Sequence, residues 1–416
     1  NNLYKDILYY KLMSITSNST SETASLSDDD IIEQSDNLEL EGLILNEYNI
    51  LCELGRGAYS IVWLGYNIST LKYYAIKVQN PNEYKEGKSE NNFMRQLPKN
   101  IDSLNTLICD FVEIIDDKKF LCSVYELHCS NLDSIIRKGK YENGMPSEIV
   151  KNIMIQLLEG CSHLHQKMKV YHGDIKTDNI LLKGQTKKIN SLIELYNKMN
   201  FQELYTHAKK EHQKLSHKKK IKIRSQIHLE IYNKVINILD EYNIDKYEID
   251  EKYINGCNVC LADFGSFVKD GEYYDEAFGT RYYRSPENIL VGKSSYPNDI
   301  WALGCTFYEL LTGRILFDPD KDKLYDRDAY HLKLINEICG EFSHNFLKKT
   351  KLWEKYFDTN CKLKITKDLN YTSKLKDKLG TNNMLSIIRG MLKINPTERL
   401  TANDCLQMLN KINFTS

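Results

Sequence analysis

Four short motifs stand in a fixed order along the chain, and that order restricts what it can fold into. Gly55-Arg56-Gly57-Ala58-Tyr59-Ser60-Ile61-Val62 is followed by the strand-like Ala75-Ile76-Lys77. His172-Gly173-Asp174-Ile175-Lys176-Thr177-Asp178-Asn179 comes next, then Asp263-Phe264-Gly265. The last two weigh most. They supply two acid-bearing loops where a phosphoryl-transfer site needs a base and oxygen ligands for a divalent metal.

The pattern around the motifs divides the chain. From Tyr48 to about Val124, short β-like runs such as Ile61-Val62-Trp63-Leu64 and Tyr73-Tyr74-Ala75-Ile76-Lys77-Val78 are broken by turns. They predict a small antiparallel sheet with one helix near Glu90 to Leu97. From Leu132 onward apolar residues recur at helical spacing, notably over Ile149 to His165 and Asp299 to Leu311. The expected fold class is therefore α+β. Between Lys183 and Asn258 a charged stretch has its own helical spacing, with Leu192, Leu195, Tyr196 and Met199, then Ile231, Val235, Ile238 and Leu239. It separates the two acid-bearing loops and is read as an inserted helical spacer over about 184–256. Its basic run, Lys218-Lys219-Lys220-Ile221-Lys222-Ile223-Arg224, has two readings: a nuclear-targeting or nucleic-acid patch, or a solvated helix face. Ser14 to Ser35, rich in Ser, Thr and Asp, buries too little apolar surface to offset chain entropy, so 1–47 is expected to be a flexible extension.

Composition excludes some functions. A hydrophobic content of 42% in 416 residues supports a real core. The formal net charge of −1 argues against whole-chain attraction to nucleic acid. No apolar run approaches the roughly 18 residues a membrane helix needs, so no membrane partner is expected. Residues 1–13 alternate apolar with charged residues and show no signal-peptide core. The eleven cysteines follow no regular framework, which suits reduced thiols in a cytosolic or nuclear compartment. Cys257 and Cys260 are read as part of a buried strand entering Asp263, since no second thiol pair accompanies them. Abundant Asn, Lys, Ile and Tyr point to an AT-rich coding sequence, as in protists or large DNA viruses; for a virus the compartment would be the host cell's. The sequence specifies no oligomeric state.

Phosphates must be held without bulky side chains intervening, and Gly55 and Gly57 would let the backbone come close to them. Ser60 occupies the place of a third glycine, and a plain hairpin turn is the alternative. Lys77 would supply a cation for nucleotide phosphates and needs a carboxylate to hold its long chain. Glu90 is the choice, because Phe93, Met94 and Leu97 lie at helix-facing offsets behind it; Glu83 and Glu86 are rivals. Asp174 is the candidate base for a hydroxyl proton, and Lys176 can neutralise a transferring phosphoryl group. Asn179 and Asp263 offer the oxygen ligands that Mg²⁺ prefers. A structural role as hydrogen-bond acceptor is the alternative for each Asp.

The ordered set resembles the eukaryotic-type protein kinases. That resemblance implies a bilobal fold, with a small antiparallel-sheet N-lobe over about 48–127 and a larger, mainly helical C-lobe over about 128–414. It also implies ATP and Mg²⁺ as cofactors, and protein substrates with Ser or Thr acceptors. Gly279-Thr280-Arg281-Tyr282-Tyr283-Arg284-Ser285-Pro286-Glu287 looks like the end of an activation segment, with Arg399 as partner for Glu287. Asp299-Ile300-Trp301 would open the core helix beneath the catalytic loop.

Thr280-Arg281, then Tyr283 to Glu287, resembles the CMGC group, which holds the cyclin-dependent, mitogen-activated, dual-specificity tyrosine-regulated and SR-protein kinases. Four features look like the SR-protein kinases: Ser60 and Trp63 in the glycine loop, the hinge Ser123-Val124-Tyr125-Glu126-Leu127, the missing Arg after His172, and the long spacer. By this resemblance Leu54 to Val62, Glu126 and His128 would contact the nucleotide. Arg/Ser-rich substrates would follow, with Glu337 fitting one groove acid. Tyr330 and Arg314 stand where further acids are expected. Without Arg at 173, no side chain pairs with a phosphorylated loop, so activity independent of loop phosphorylation is expected. A pseudokinase scaffold is the other function class; it would usually lose one of Lys77, Asp174 or Asp263, all present here. Lys176 after Asp174 is typical of Ser/Thr specificity, while Tyr273, Tyr274 and Tyr283 leave tyrosine autophosphorylation open.

Overall fold

The computed structural model describes residues 39–57, 59–138, 141–210, 216–242, 253–254, 256–270, 272, 276–319, 325–365, 375 and 384–413. The serine-rich stretch, Ala58, the side chain of Lys218, Tyr273 and Tyr274 lie outside the described residues. The fold is bilobal, and its contacts divide the chain into two units.

The first unit takes residues up to 96, 106–127 and 191–243. Six antiparallel strands build its sheet: β1 (Ile44–Leu45), β2 (Tyr48–Arg56), β3 (Ser60–Asn67), β4 (Lys72–Gln79), β5 (Leu107–Ile115) and β6 (Lys118–Glu126). Their order is β1-β2-β3-β4-β6-β5. Alternate residues on β2, β3, β4 and β6 point to one face, so Ile50, Trp63, Ile76 and Val124 meet in a single core. The sheet begins earlier than the sequence pattern suggested. Leu40 and Leu45 join that core, and β1 pairs with β2 through Ile44 and Asn49. The physical reason is a change of composition: Leu40, Leu43, Ile44 and Leu45 bury apolar area that the preceding Ser/Thr/Asp stretch lacks.

Outside the spacer, the helix Tyr84–Met94 of this unit turns Glu90, Asn91, Phe93 and Met94 inward. Asp110 on β5 fixes it to the sheet. Its carboxylate accepts from Lys88 Nζ (3.0 Å), Asn91 Nδ2 (3.1 Å) and Arg95 Nη2. These three donors sit at helical steps of three and four, so one acid grips two turns.

The spacer is helical as expected, with helices at Lys187–Lys198, Phe201–Lys210 and His217–Tyr242. It is also part of the first unit from Ser191 to Asn243. Tyr196 and Phe201 pack on Tyr66 of β3, with ring centroids 5.3 and 6.4 Å apart. A directional hydrogen-bond relay joins spacer to sheet. Asn49 Nδ2 donates to the Tyr196 hydroxyl (3.0 Å), which donates to His228 Nδ1 (2.8 Å), while His228 Nε2 donates to Ile50 O (3.0 Å). Both imidazole nitrogens are thereby used, and the neutral Nε2–H tautomer is fixed.

The second unit takes 97–105, 128–190 and 244–416. Its helices include Ser147–His163, Pro297–Thr312, Arg327–Cys339 and Ala402–Asn410. The helix at Pro297 is buried on nearly every side from Asn298 to Leu310, the expected core helix. Three small strands, β7 (Ser130–Asn131), β9 (Ile180–Leu182) and β10 (Val259–Leu261), form one sheet; β8 (Val170–Tyr171) and β11 (Val268–Lys269) form another. β9 and β10 pair as Leu182 with Val259 and Ile180 with Leu261, and Lys183 N donates to Asn258 O at 2.9 Å. The two ends of the insertion therefore meet. This is why it can separate the acid-bearing loops in sequence without separating them in space. Cys260 is buried on β10 and Cys257 is buried just before it, and all eleven cysteines are free thiols.

Candidate active site

In the first unit the glycine loop closes a hairpin between β2 and β3, with Gly57 N donating to Ser60 O at 2.9 Å. A Cβ at Gly55 would meet nothing within 4 Å, and at Gly57 only Ser60 O at 3.7 Å. Packing within the protein does not demand glycine at either position, so the bare backbone is left open to a ligand. Leu54 and Val62 are half-buried, Ile61 is buried, and Arg56 and Tyr59 are exposed, Arg56 pairing with Glu53 at 2.7 Å.

Lys77 lies on β4 between Val62 of β3 and Ser123 of β6. Its ammonium reaches both carboxylate oxygens of Glu90, at 2.9 and 3.2 Å. Glu90 is thus the acid that meets Lys77, and it is 4% exposed on the inward face of its helix. Sequence reasoning missed Asp110 and Asn91, which hold that helix; Asn91 also bonds Ser123 Oγ, at 2.8 Å. Burial works to raise the Asp110 pKa, but the bonds from Lys88, Arg95 and Asn91 hold it below its usual value. A charged residue on a β-strand gives no sequence signal that a helix 20 residues earlier will clasp it.

In the second unit the catalytic loop is built around buried Asp299. Its Oδ2 accepts from His172 N and His165 Nε2, both at 2.8 Å, and Oδ1 accepts from Gly173 N at 3.0 Å. Burial opposes the charge, yet these donors keep the carboxyl below its ordinary pKa. The loop is tied to the second acid-bearing turn. His172 Nε2 meets Ala262 O at 3.0 Å, Ala262 N donates to Asn179 O at 2.9 Å, and the Phe264 ring packs 4.9 Å from His172.

Within this frame Asp174 Oδ1 accepts from Thr280 N (2.7 Å), and Oδ2 faces Lys176 Nζ (3.2 Å) and Asn179 Nδ2 (3.3 Å). Lys176 Nζ also donates to Thr280 Oγ1 at 2.8 Å. Asn179 uses its amide N–H on the backbone O of Asp174 (2.8 Å), which leaves its side-chain oxygen for a hard cation. Asp263 has a left-handed backbone, φ 62°, and its side chain is exposed while Phe264 beside it is fully buried. A carboxylate and an amide oxygen are the donor set Mg²⁺ takes, so the residues fit that ion.

Gly173 is required by geometry. Its φ is +84°, and a Cβ would lie 2.4 Å from Ser266 O. Residues 276–288 are bonded to the rest of the unit without any charge at 173. Asn288 pairs with the backbone of Phe278 through its Oδ1 (3.0 Å) and Nδ2 (2.9 Å), and Arg284 Nε donates to Gly279 O (2.9 Å). Arg281 pairs with Asp328. Arg399 grips Glu287 through both nitrogens at 2.6 and 2.9 Å, fully buried, as the sequence suggested. The Tyr283 hydroxyl donates to Glu309 Oε2 at 2.6 Å, and Arg137 pairs with the same buried acid. Burial nevertheless pushes Glu309 above its ordinary pKa. Sequence reasoning did not single out Glu309 or Arg137.

Other expected residues stand as follows. Glu126 is exposed at the end of β6 in the first unit. His128, in the second, turns its ring toward Asn105 Oδ1 (3.4 Å) and Cys260 Sγ (3.5 Å). Tyr330 is 1% exposed and packs edge-on to Tyr325, so it is a core residue and cannot line a groove. Arg314 is exposed, and Glu337 faces Lys333 one turn earlier at 3.6 Å. No helix among the described residues is long and apolar enough to cross a membrane.

Comparison with known proteins agrees with this construction. The family profile of the protein kinase domain matches residues 48–195 and 234–409 and leaves out the middle of the spacer. A protein of Acanthamoeba polyphaga mimivirus that carries a serine/threonine-protein kinase name is 27% identical, with 88% of each chain covered. The serine/threonine-protein kinase SRPK of Physarum polycephalum is 26% identical over 87% of this chain and 85% of its own. A crystallised kinase domain shares the fold with a TM-score of 0.64 at 21% identity, covering 88% of this chain and 96% of that one. With its fold, its loops and most of its length accounted for in this way, the chain belongs to the protein kinase family and is a serine/threonine protein kinase.

Proposed function

We propose that the protein transfers the γ-phosphoryl group of ATP to Ser and Thr hydroxyls of protein substrates through the residues described above. The observation that carries this reading is the Asp174–Lys176 pair, both held on Thr280 within one half-buried frame. Asp174 orients the acceptor hydroxyl and takes its proton as oxygen bonds to the γ-phosphorus and the bridge to the β-phosphate breaks. Lys176 neutralises the oxygens of the phosphoryl group in transit. Lys77, steadied by Glu90, meets the α and β phosphates, and the bare backbone at Gly55 and Gly57 admits them. Leu54 to Val62, Glu126 and His128 complete the nucleotide contacts. Asn179 and Asp263 would hold Mg²⁺, which when bound neutralises charge on the phosphates. Asp174→Asn should lower turnover by roughly 10²–10⁴-fold with the fold intact. Phosphate incorporation equal to the parent would sink the reading.

The kinase domain is proposed to span 48–414, with the insertion at about 184–256. Arg/Ser-rich segments are proposed as substrates. The glycine-loop and hinge motifs, together with the Physarum relative's name, support this; the exposed Arg314 guanidinium opposes it at one position. A positional peptide array should show enrichment of Arg near the acceptor, and a flat Arg profile would remove this substrate class. The internal bonding of residues 276–288 also supports activity without loop phosphorylation. Phosphatase treatment should leave turnover unchanged within about twofold, since a phosphate would have no Arg at 173 to pair with.

A further inference from the structure

The formal net charge of −1 hides one dense cluster of cations. From Lys209 to Arg224, sixteen residues carry eight Lys or Arg and a single acid, Glu211. A run of this kind creates a local field that the whole chain lacks. It also falls between residues 195 and 234, the interval that the protein kinase profile leaves unmatched, so kinship to the kinases does not account for it.

The fold gathers lysines of this run at one end of the spacer. Lys209 and Lys210 are exposed at the close of the second spacer helix, and Lys219 and Lys222 are exposed near the start of the third. Six residues join the two helices, a length that suits antiparallel neighbours. The Arg224 guanidinium covers the Tyr205 ring at 4.8 Å, which brings Lys209 level with half-buried Lys220 one turn further along each helix. Register turns the lysines outward. His228, Ile231 and Val235 repeat at steps of three and four along the buried face, while Lys219 stands about two and a half turns before His228, on the opposite side. None of the four exposed ammonium groups pairs with a carboxylate among the described residues. The third helix has no acid in its first turn, so its lysines add to the positive end of the helix dipole. His228 bonds Ile50 O at 3.0 Å, so the helix that carries Lys219 and Lys222 is already held on the sheet and little order has to be gained on binding.

We propose that this end of the spacer binds double-stranded DNA through its phosphates, without regard to base sequence. Three features choose that occupant. B-DNA carries one charge per about 1.7 Å of axis, whereas an extended acidic peptide offers at most one per about 3.3 Å, so the duplex is the denser match for cations crowded on two helix ends. The aromatic side chains of the second helix, Phe201 and Tyr205, are buried, which leaves no platform there for the bases of a single strand. Two packed helix ends span about 10–15 Å, well short of the roughly 16 base pairs over which modules read the shape of duplex RNA. Ammonium groups on phosphates position a duplex and read no bases.

The test titrates the full chain against a fluorescein-labelled DNA duplex of about 20 base pairs, read by anisotropy between about 50 and 200 mM salt. Four to five neutralised phosphates predict a slope of log K against log salt of roughly −3.5 to −4.5. Changing Lys209, Lys210, Lys219 and Lys222 to Gln should lower affinity at least about tenfold and flatten the slope by about 3 to 4, whereas changing the same four to Arg should keep both near the parent's. Should the four-site glutamine variant fail to fold, Lys219→Gln with Lys222→Gln alone should still flatten the slope by about 2. Lys348→Gln with Lys349→Gln, at exposed lysines of the second unit, should change neither quantity. No saturable binding at the low-salt end, an unchanged slope in the glutamine variants, or an equal loss from the Lys348 and Lys349 changes would overturn the proposal. So would a polyglutamate peptide or an RNA duplex that binds more tightly than the DNA, assigning the face to an acidic protein or to RNA.

Discussion

At residue 173 the backbone sets what chemistry regulation can use. With φ at +84° and Ser266 O 2.4 Å from where a Cβ would sit, any side chain must move the turn. Gly173→Arg should therefore destabilise the protein by about 1–3 kcal/mol and lower turnover, rather than install a phosphate-controlled switch. Thermal unfolding with and without activation-loop phosphate checks this; an arginine variant that is fully stable and newly phosphate-dependent would contradict it. Glu90 works differently, since its value lies in charge. Glu90→Gln keeps the shape of the Lys77 contact and loses the ion pair, so turnover should fall about tenfold or more with little change in melting temperature. Lys77, Asp174, Lys176, Asn179 and Asp263 were all legible as motif residues. Asp110, Glu309 and Arg137 were not, because each acts on a partner that only packing brings near.

Among elements, the helix Tyr84–Met94 and the spacer helices carry the most consequence. The first is clasped by Asp110 through Lys88, Asn91 and Arg95, so the position of Glu90 depends on an acid it does not touch. Asp110→Asn should raise the KM for ATP and lower turnover several-fold, and restoring the acid with Glu should recover part of each. An unchanged KM would reduce Asp110 to surface charge. The spacer's apolar periodicity announced helices, and helices formed. What the periodicity could not announce was their seat. Tyr196→Phe breaks the relay that ends on Ile50 and strands the buried Nδ1 of His228, a cost of about 1–3 kcal/mol. A lowered urea midpoint measures it, and no change would mean that the spacer is not held by this relay.

Over the whole molecule, two buried histidines tie stability to pH. Burial lowers His228 to about 4, and burial with nearby Arg281 and Arg284 lowers His331 to about 3. Both are neutral in the folded state, so above the ordinary histidine pKa of about 6.5 neither affects stability. Between about 6.5 and 4 the unfolded chain takes up protons that the folded one refuses, and stability falls as pH falls. The melting temperature should thus decline steadily from pH 7 to pH 5, and His228→Gln should flatten part of that slope. A flat profile in the parent would show that these rings are not held neutral.

The resemblance to the protein kinases implied the pairing of Glu287 with Arg399; the order of motifs, their spacing and the alternation of apolar residues were enough to predict a sheet-rich first lobe, a helical second lobe and the candidate acids of the site. Those features depend on local periodicity and on side-chain chemistry, which a sequence displays directly. Tertiary structure alone decided that Leu40, Leu43 and Leu45 belong to the core of the first sheet, that Tyr330 is core, and that the insertion leaves and returns at one strand pair to pack on β2 and β3. Each of these is a contact between residues far apart in the chain, selected by buried area and hydrogen-bond satisfaction over the whole fold, and no local pattern records it.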